Sequence, residues 1–298
     1  MGGTGFIGYH LAKLCLKKKW DITSFSKNEP KKIRKLNKIK YLKGDLYNKE
    51  DFRKINFKFD YVVNLGGYVD HSNKINTYNS HFIGCKNLSK FFLNKNIESF
   101  VQMGSCGEYG RSKSPQKENI ICRPISIYNR AKFLATKHLI NLYREKNFPV
   151  TILRLYQTYG PKQDINRLIP IVIDSCIKNK KFPCSNGKQC RDFIHVDDLV
   201  QSILKCFENK KAKGQIINIG TGKPKKIRNV INLIKNKIKS GKPQFGKIKL
   251  RPEEMLKVYP KISKAKKILG WRPKIEFKSG LFSAIKSYQI DEKKQKYI

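Results

Sequence analysis

Short apolar runs alternate with longer amphipathic stretches along most of the chain. The apolar runs are bounded by turn residues and predict strands at 21–25, 39–42, 61–65, 99–103, 150–155 and 215–219. Apolar positions spaced three or four residues apart predict helices at 6–18, 75–93, 127–146 and 197–208. Strands that alternate with helices are typical of a parallel sheet with helices on both faces, so we predict an α/β fold with a doubly wound sheet.

The regular alternation ends near residue 155, and the remaining sequence has shorter apolar runs and more turn residues. We therefore predict a first domain at 1–155 and a smaller α/β lobe at 156–298. The strand at 215–219 is an exception, because we expect it to return to the first sheet.

The chain has 298 residues, of which 39% are hydrophobic, and this is enough apolar material for a buried core. No apolar run is long enough to cross a membrane, and the N-terminus lacks the pattern of a secretory signal. We expect a cytoplasmic protein without a membrane partner. The eight cysteines lack the spacing of zinc ligands, so we expect no metal site.

The formal net charge is +42, a value typical of proteins that bind nucleic acids or anionic surfaces. In this chain lysines occur in nearly every segment, together with many Ile and Asn residues, as in a protein encoded by AT-rich DNA. The even distribution favours a solvated basic surface over a nucleic-acid groove. The charge would still attract a small anionic substrate.

A cluster of glycines opens the chain in the sequence MGGTGFIG. Gly3, Gly5 and Gly8 match the G-x-G-x-x-G turn with which Rossmann-like domains hold the pyrophosphate of a dinucleotide. That turn ordinarily follows a buried strand, whereas only Met1 precedes the glycines here. We interpret the sequence as a genuine dinucleotide turn whose first strand is missing, either because the chain is a fragment or because the start codon is mis-assigned.

Ser26 and Lys27 follow the strand predicted at 21–25, where NAD-binding domains of this kind carry an acidic residue. A carboxylate at that place binds the ribose 2′-hydroxyl of NAD and would repel the 2′-phosphate of NADP. A hydroxyl and an ammonium would accept that phosphate, so we expect a slight preference for NADP(H) over NAD(H). The alternative is that Lys27 is one more surface lysine.

The sequence SIYNRAK contains candidate acid–base residues, because it places Tyr128 and Lys132 four residues apart on one face of a predicted helix. A neighbouring ammonium lowers the pKa of a tyrosine and suits it to proton transfer near neutral pH. Ser105 follows the strand predicted at 99–103, at the edge of the sheet where α/β proteins collect ligand-binding groups.

Several further motifs follow in a fixed order along the whole chain. They are GDL at 44–46, GSCGEYG at 104–110, LRLYQTYGP at 153–161, RDFIHVDDL at 191–199, NIGTG at 218–222 and SKAKKILGW at 263–271. Together with the glycine turn and the Tyr128–Lys132 pair, they resemble the extended short-chain dehydrogenases. The pattern is similar to that of the NAD-dependent epimerase/dehydratase family, which acts on nucleotide sugars.

The resemblance implies a cofactor site and three catalytic residues. The residues implied to bind the cofactor are Gly2, Gly5, Phe6, Ile7, Gly8, Asp45, Leu46 and Lys132. Of these, Asp45 and Leu46 would meet the adenine. Tyr128 would be the general acid and base, and Lys132 would lower the pKa of Tyr128 in addition to binding the cofactor. Ser105 would bind the reacting sugar oxygen.

The resemblance also implies a nucleotide-sugar substrate and a homodimer formed through a helix bundle that includes the Tyr128 helix. Arg191, joined by Arg251, would hold the phosphates of the nucleotide, because a guanidinium forms strong charge-assisted hydrogen bonds with phosphate. Gln157 stands where many members of the family have Asn, and it would contact the substrate.

One departure from the family pattern reduces the number of reactions that the chain is expected to catalyse. Sugar 4,6-dehydratases have acidic residues directly after the position of Ser105, where this chain has Cys106 and Gly107, and Glu108 falls one place late. We therefore expect hydride transfer at the sugar C4 without dehydration. A 4-ketoreductase is slightly favoured by Ser26 and Lys27, and a 4-epimerase is the alternative. More remote alternatives are a non-catalytic NADP-binding regulator and a nucleic-acid-binding protein.

Overall fold

The computed structural model describes residues 1–68, 70, 72–250 and 254–295. The strands are β1 (Thr23–Ser26), β2 (Lys40–Lys43), β3 (Tyr61–Asn64), β4 (Ser99–Ser105), β5 (Val150–Leu155), β6 (Gln157–Tyr159), β7 (Lys181–Cys184), β8 (Cys190–Arg191), β9 (Phe193–His195), β10 (Ile216–Ile219), β11 (Lys225–Lys226), β12 (Lys242–Phe245) and β13 (Lys257–Val258). The helices are α1 (Phe6–Lys17), α2 (Lys74–Tyr78), α3 (Gly84–Phe92), α4 (Ile127–Lys146), α5 (Leu168–Ile177), α6 (Val196–Glu208), α7 (Ile227–Ile238), α8 (Ser263–Leu269) and α9 (Phe277–Gln295).

Parallel strands form the centre of the molecule. Four of them pair in the order β10, β5, β4, β3, and β1 pairs separately with β2. Met1 lies between the two groups, because its amino group donates to the Val63 oxygen and its own oxygen accepts from the Leu65 nitrogen. On the other side, the Gly2 nitrogen donates to the Phe25 oxygen at 2.9 Å. The two groups of strands are therefore joined through the first two residues.

Helices cover both faces of the sheet. Successive side chains of a strand point to opposite faces. On β4, Val101 and Met103 are buried in a cluster with α1, α6 and α8, whereas Phe100 is buried in a second cluster with α3 and α4. The predicted doubly wound, Rossmann-like α/β fold is confirmed by this arrangement.

A third apolar cluster lies among the later elements of the chain. Helices α5, α7 and α9 pack together and contribute buried side chains such as Ile173, Ile231 and Leu281. The short strands β6, paired with β9, and β7, paired with β12, add residues to this cluster, and β8 lies separately between β11 and β13. In contrast, α6, β10 and α8 return to the first sheet, so the later half of the chain contributes to both parts of the molecule.

The predicted strands and helices are all found, with small shifts at their ends. The helix predicted at 75–93 is interrupted by a π-helical turn at Asn79–Ile83, which joins α2 to α3. Within the described ranges, none of the helices combines the length and the apolar character that crossing a membrane requires.

Candidate active site

The glycine turn is packed so tightly that Gly2, Gly3 and Gly8 have no room for a side chain. Gly2 has a φ of +73°, and a Cβ there would lie 2.8 Å from the Gly66 nitrogen. A Cβ on Gly8 would lie 2.5 Å from the Gly3 Cα and 2.6 Å from the Gly2 oxygen. Gly5 is less constrained, because its Cβ would meet the Gly2 oxygen at 3.4 Å. The close packing of the turn against its own backbone and against Gly66 therefore requires glycine at positions 2 and 8.

Helix α1 begins directly after this turn and offers an anion site. Its N-cap residue is Gly5, which provides no side-chain acceptor, and its first turn has no acidic residue. The N–H groups of Phe6, Ile7 and Gly8 have no acceptor within the helix, and the helix dipole adds positive potential at this end. The uncapped end and the glycine turn together fit the pyrophosphate of a dinucleotide.

Lys27 and Asp45 meet at the end of β1. The Lys27 Nζ lies 2.9 Å from the Asp45 Oδ2, and the hydrogen bond from this ammonium to Asp45 raises the pKa of Lys27. Ser26 is buried, and its Oγ lies 3.4 Å from the Ser24 Oγ. Leu46 is also buried, against Gly66 and Gly84. The charge of Lys27, on which the expected NADP(H) preference rests, is thus balanced by Asp45.

Ser105, Tyr128 and Lys132 come together where β4 ends against α4. Ser105 is the last residue of β4, and its side chain shares a hydrogen bond with that of Tyr128. The Ser105 Oγ also accepts from the Gly107 nitrogen at 3.1 Å, which fixes its direction. Lys132, one turn after Tyr128, is 5% exposed and donates from Nζ to the Met103 oxygen at 2.8 Å. The three predicted catalytic residues form one cluster.

The pKa of Tyr128 differs from the expectation. Burial raises it to about 12, and the hydrogen bond from Ser105 opposes this increase. Burial also lowers the pKa of Lys132 to about 8. The Lys132 ammonium is directed at Met103 and lies 5.9 Å from the centre of the Tyr128 ring. The lowering of the tyrosine pKa expected from Lys132 is therefore not found, because loss of solvent around the phenol has the larger effect.

The predicted substrate residues lie on the short strands next to this cluster. Arg191, in β8, is 11% exposed and forms an ion pair with Glu254. Burial raises the pKa of the Cys106 thiol to about 12, and the charge of the nearby Arg191 opposes this increase. Gln157 begins β6, and its side chain is exposed. Its backbone nitrogen donates to the backbone oxygen of Asp192. Arg251 lies outside the described residues.

Two features near Tyr128 were not predicted from the sequence. The buried His81, in the π-helical turn, has its ring centre 4.9 Å from that of Tyr128, in an edge-to-face arrangement. Glu108 is fully buried and paired with Arg154. The motif GSCGEYG contains this glutamate, but its partner is 46 residues away, and no spacing rule connects the two.

Comparisons with known proteins agree with the geometry. The family described as "NAD dependent epimerase/dehydratase family" matches residues 1–220. A protein of Bacillus subtilis (strain 168) named uncharacterized UDP-glucose epimerase YtcB is 27% identical over 303 residues, which is 95% of each chain.

Solved structures are similar over the whole chain. The UDP-glucose 4-epimerase of Thermotoga maritima with UDP-glucose has a TM-score of 0.92 at 23% identity, covering 98% of both chains. The dTDP-glucose 4,6-dehydratase of Bacillus anthracis in complex with NAD has a TM-score of 0.86 at 23% identity. The latter similarity covers 98% of this chain and 96% of that one. These structures share the arrangement of the parallel sheet and the elements around it.

Proposed function

Since this chain belongs to the NAD-dependent epimerase/dehydratase family, we propose that it transfers a hydride between C4 of a nucleotide-activated sugar and a nicotinamide cofactor. The observation that carries this proposal is the cluster of Ser105, Tyr128 and Lys132, which lies at the same edge of the sheet as the glycine turn. A nicotinamide cofactor is also supported by the similar structure that contains NAD.

Each of the three residues has a task that suits its position. The Tyr128 oxygen takes the proton of the C4 hydroxyl as the hydride leaves that carbon, and it returns a proton when the carbonyl is reduced. Ser105, directed by the Gly107 nitrogen, holds the reacting sugar oxygen next to the phenol. Lys132, one turn further along α4, would hold the nicotinamide ribose. The cofactor supplies the acceptor and donor of the hydride.

The tyrosine pKa of about 12 does not conflict with this role. A general base works best when its pKa is near the working pH, so the phenol must become more acidic in the complex. The positive charge of an oxidised nicotinamide near the phenol would favour the phenolate. We therefore expect cofactor binding to lower the pKa of Tyr128.

The cofactor would lie along the first two residues, helix α1 and the ends of β1 and β3. Gly2, Gly5 and Gly8, with the nitrogens of Phe6 and Ile7, would hold the pyrophosphate. Ser26, Lys27, Asp45 and Leu46 would surround the adenosine. Because Lys27 is paired with Asp45, a 2′-phosphate would have to compete with that carboxylate. This weakens the case for NADP(H), and we propose that NAD(H) is also accepted.

The nucleotide sugar would bind against the later residues of the chain, which we propose as its lobe at 156–298. Arg191 would bind the diphosphate, and for this the phosphate oxygens must replace Glu254 as its partner. Gln157 is exposed and can donate from its amide to the substrate. Arg251 remains a predicted second phosphate ligand.

Dehydration is the reaction that the site supports least. Cys106 and Gly107 occupy the positions of the dehydratase acids. Glu108, the next carboxylate, is fully buried and engaged by Arg154, Thr136 and the Ser105 nitrogen. It therefore has no free oxygen to present to a sugar hydroxyl.

Two outcomes of C4 hydride transfer remain. A 4-ketoreductase is favoured by Ser26 and Lys27, as far as these residues select NADPH. A 4-epimerase is favoured by the Lys27–Asp45 ion pair and by the relatives named UDP-glucose epimerases. We place the 4-epimerase first, because Lys27, on which the case for the reductase depends, already has Asp45 as a partner at the protein surface.

The experiment that tests the proposal follows the hydrogen on C4. The purified chain is incubated with UDP-glucose deuterated at C4 and NAD⁺, and separately with 4-keto sugar nucleotides and NADPH deuterated at the nicotinamide C4. Formation of UDP-galactose that retains the deuterium supports an epimerase, whereas transfer of cofactor deuterium to the sugar supports a reductase. Absence of both reactions with uridine, thymidine, cytidine and guanosine sugar nucleotides would contradict the proposal.

We further propose a homodimer, as the family resemblance implies. Helix α4 carries the partly exposed apolar side chains of Phe133 and Leu134 next to its exposed side, where a partner helix would cover them. Light scattering of the purified chain should give twice the monomer mass of 34.7 kDa, and a monomer at micromolar concentration would contradict this.

A further inference from the structure

Glu108 is a fully buried carboxylate with four hydrogen bonds to neighbouring groups. Its Oε1 accepts from the backbone nitrogen of Ser105 at 2.8 Å. Its Oε2 accepts from Arg154, through Nε at 2.9 Å and a terminal nitrogen at 2.8 Å, and from the Thr136 hydroxyl at 3.0 Å. Both oxygens are therefore occupied, as burial of a charge requires.

These bonds connect the elements that carry the catalytic cluster. Ser105 is the end of β4, Arg154 belongs to the neighbouring strand β5, and Thr136 lies on α4 one turn after Lys132. One carboxylate thus holds the end of β4 to the helix that carries Tyr128 and Lys132. The Ser105 hydroxyl depends on this alignment, because it must meet the Tyr128 hydroxyl.

The surroundings leave the carboxylate little freedom to move. A Cβ on Gly104 would lie 2.7 Å from the Glu108 Oε1, so the glycine allows the carboxylate to lie against the strand. The Arg154 guanidinium is 2% exposed and lies 4.5 Å from the centre of the Tyr109 ring. Tyr109 in turn donates from its hydroxyl to the Asn218 Oδ1 at 2.8 Å. The pair is enclosed by a network that fixes both partners.

We propose that Glu108 is a positioning residue, which holds the Ser105 backbone at the distance from Tyr128 that hydride transfer requires. This inference rests on the function proposed above and assigns to it a residue outside the Ser–Tyr–Lys cluster. Small displacements of a reacting group can cost about 100-fold in rate, so a loosened Ser105 should affect turnover more than binding.

The test compares Glu108→Gln with a matched control, Asp198→Asn. Asp198 is also a buried carboxylate, and it accepts from the backbone nitrogens of Lys274 and Ile275. Both variants replace a buried carboxylate by an amide that places a donor against existing donors, so both should lower the thermal midpoint. Only Glu108→Gln touches Ser105.

We expect Glu108→Gln to lower kcat at least about tenfold, while KM for the nucleotide sugar and Kd for the cofactor change less than about threefold. Asp198→Asn should keep kcat within about twofold of the unmodified enzyme. A kcat for Glu108→Gln that is no lower than that of Asp198→Asn would overturn the inference. A loss confined to KM or to cofactor binding would overturn it as well.

Arg154→Lys decides the matter if Glu108→Gln does not fold. Lysine keeps the buried positive charge but loses the two-nitrogen contact with Oε2, so kcat should fall with KM unchanged, and an unchanged kcat would overturn the inference. Tyr128→Phe serves as the reference. An inactive Tyr128→Phe with a fully active Glu108→Gln overturns only this inference, whereas a fully active Tyr128→Phe overturns the proposed function too.

Discussion

At the scale of single residues, the site depends on how burial changes the charge of Lys132. Its ordinary pKa of 10.5 is lowered to about 8, because burial removes the ammonium from water, and the nearby Cys85 and Glu108 oppose this decrease only in part. Folding therefore favours the neutral amine. Between these two pH values the unfolded chain holds a proton that the folded chain has released, so stability rises with pH in this window.

Replacing Lys132 by Met should remove this dependence. Relative to Lys132→Met, the unmodified protein should gain free energy of unfolding by up to about 1.4 kcal/mol per pH unit between about pH 8 and 10.5. Urea denaturation of both proteins at several pH values in this window measures the difference. Parallel pH profiles would show that Lys132 keeps its ordinary pKa in the folded chain.

The glycine turn allows a second prediction at this scale. Gly8→Ala places a Cβ 2.5 Å from the Gly3 Cα, so the turn must open, and the Kd for the cofactor should rise at least about tenfold. Gly5→Ala is the control within the same turn, because its Cβ would meet its nearest neighbour at 3.4 Å, and its effect should be clearly smaller. Fluorescence titration with NADH and NADPH measures the cofactor Kd of both variants. Equal effects of the two substitutions would show that the tight packing at Gly8 is not needed for cofactor binding.

At the scale of elements, α4 is the component on which the catalytic residues depend. It begins at a Ser126 cap, whose side chain accepts from the Asn129 nitrogen, and it packs Ala135 and Leu139 against the sheet. Tyr128 and Lys132 lie in its first two turns, so the packing of the later turns sets their position.

Leu139→Ala should lower the free energy of unfolding by about 2–5 kcal/mol, because the side chain is completely buried and its removal leaves a cavity. Lys137→Ala, on the exposed side of the same helix, should change stability by less than about 0.5 kcal/mol. Chemical denaturation of both variants checks the prediction. A decrease in the free energy of unfolding below about 1 kcal/mol for Leu139→Ala would mean that packing at this position does not hold α4 against the sheet.

Most of the predicted elements have a clear apolar period, although α7 was not predicted even though its apolar residues Ile227, Val230, Ile231 and Ile234 recur at helical spacing. Helix α4 was predicted to its exact ends, since its apolar positions recur regularly and Asn147 ends it in a left-handed conformation. Helix α5 was missed, because its sequence LIPIVIDSCI is almost uniformly apolar and contains Pro170. Strand β4 is two residues longer than predicted, since its pairing with β5 continues to Ser105.

The same limit applies to the site. Ser105, Tyr128 and Lys132 could be named because local spacing and family order point to them. The pairing of Glu108 with Arg154, and of Lys27 with Asp45, depends on chain segments that meet only in the folded protein. The pKa of Tyr128 was expected in the wrong direction, because burial cannot be read from the spacing of two residues.

At the scale of the whole molecule, the excess of basic residues is the dominant feature. The chain has 64 Lys and Arg residues against 22 Asp and Glu residues, so the ion pairs within the fold leave most of the positive charge unbalanced. A nucleotide sugar carries a diphosphate with two negative charges. The field of the protein should therefore draw the substrate toward Arg191, and dissolved salt should weaken this attraction.

Raising the ionic strength from about 50 mM to about 500 mM should increase KM for the nucleotide sugar at least about threefold. The value of kcat at saturating substrate should change little, because the buried cluster is screened less than the surface. Steady-state kinetics in sodium chloride, with the thermal midpoint followed as a control for stability, measures both. A KM that is independent of salt would show that the charge serves no purpose in substrate binding.

The most direct test of the central claim is the rate of C4 hydride transfer in Tyr128→Phe, measured together with its cofactor affinity. We expect a loss of about 100-fold to 10,000-fold in kcat, since the phenol is the proton donor and acceptor, with a cofactor Kd within about threefold of the unmodified protein. A Tyr128→Phe chain that transfers hydride at the unmodified rate would contradict the assignment of Tyr128, and with it the function proposed for this site.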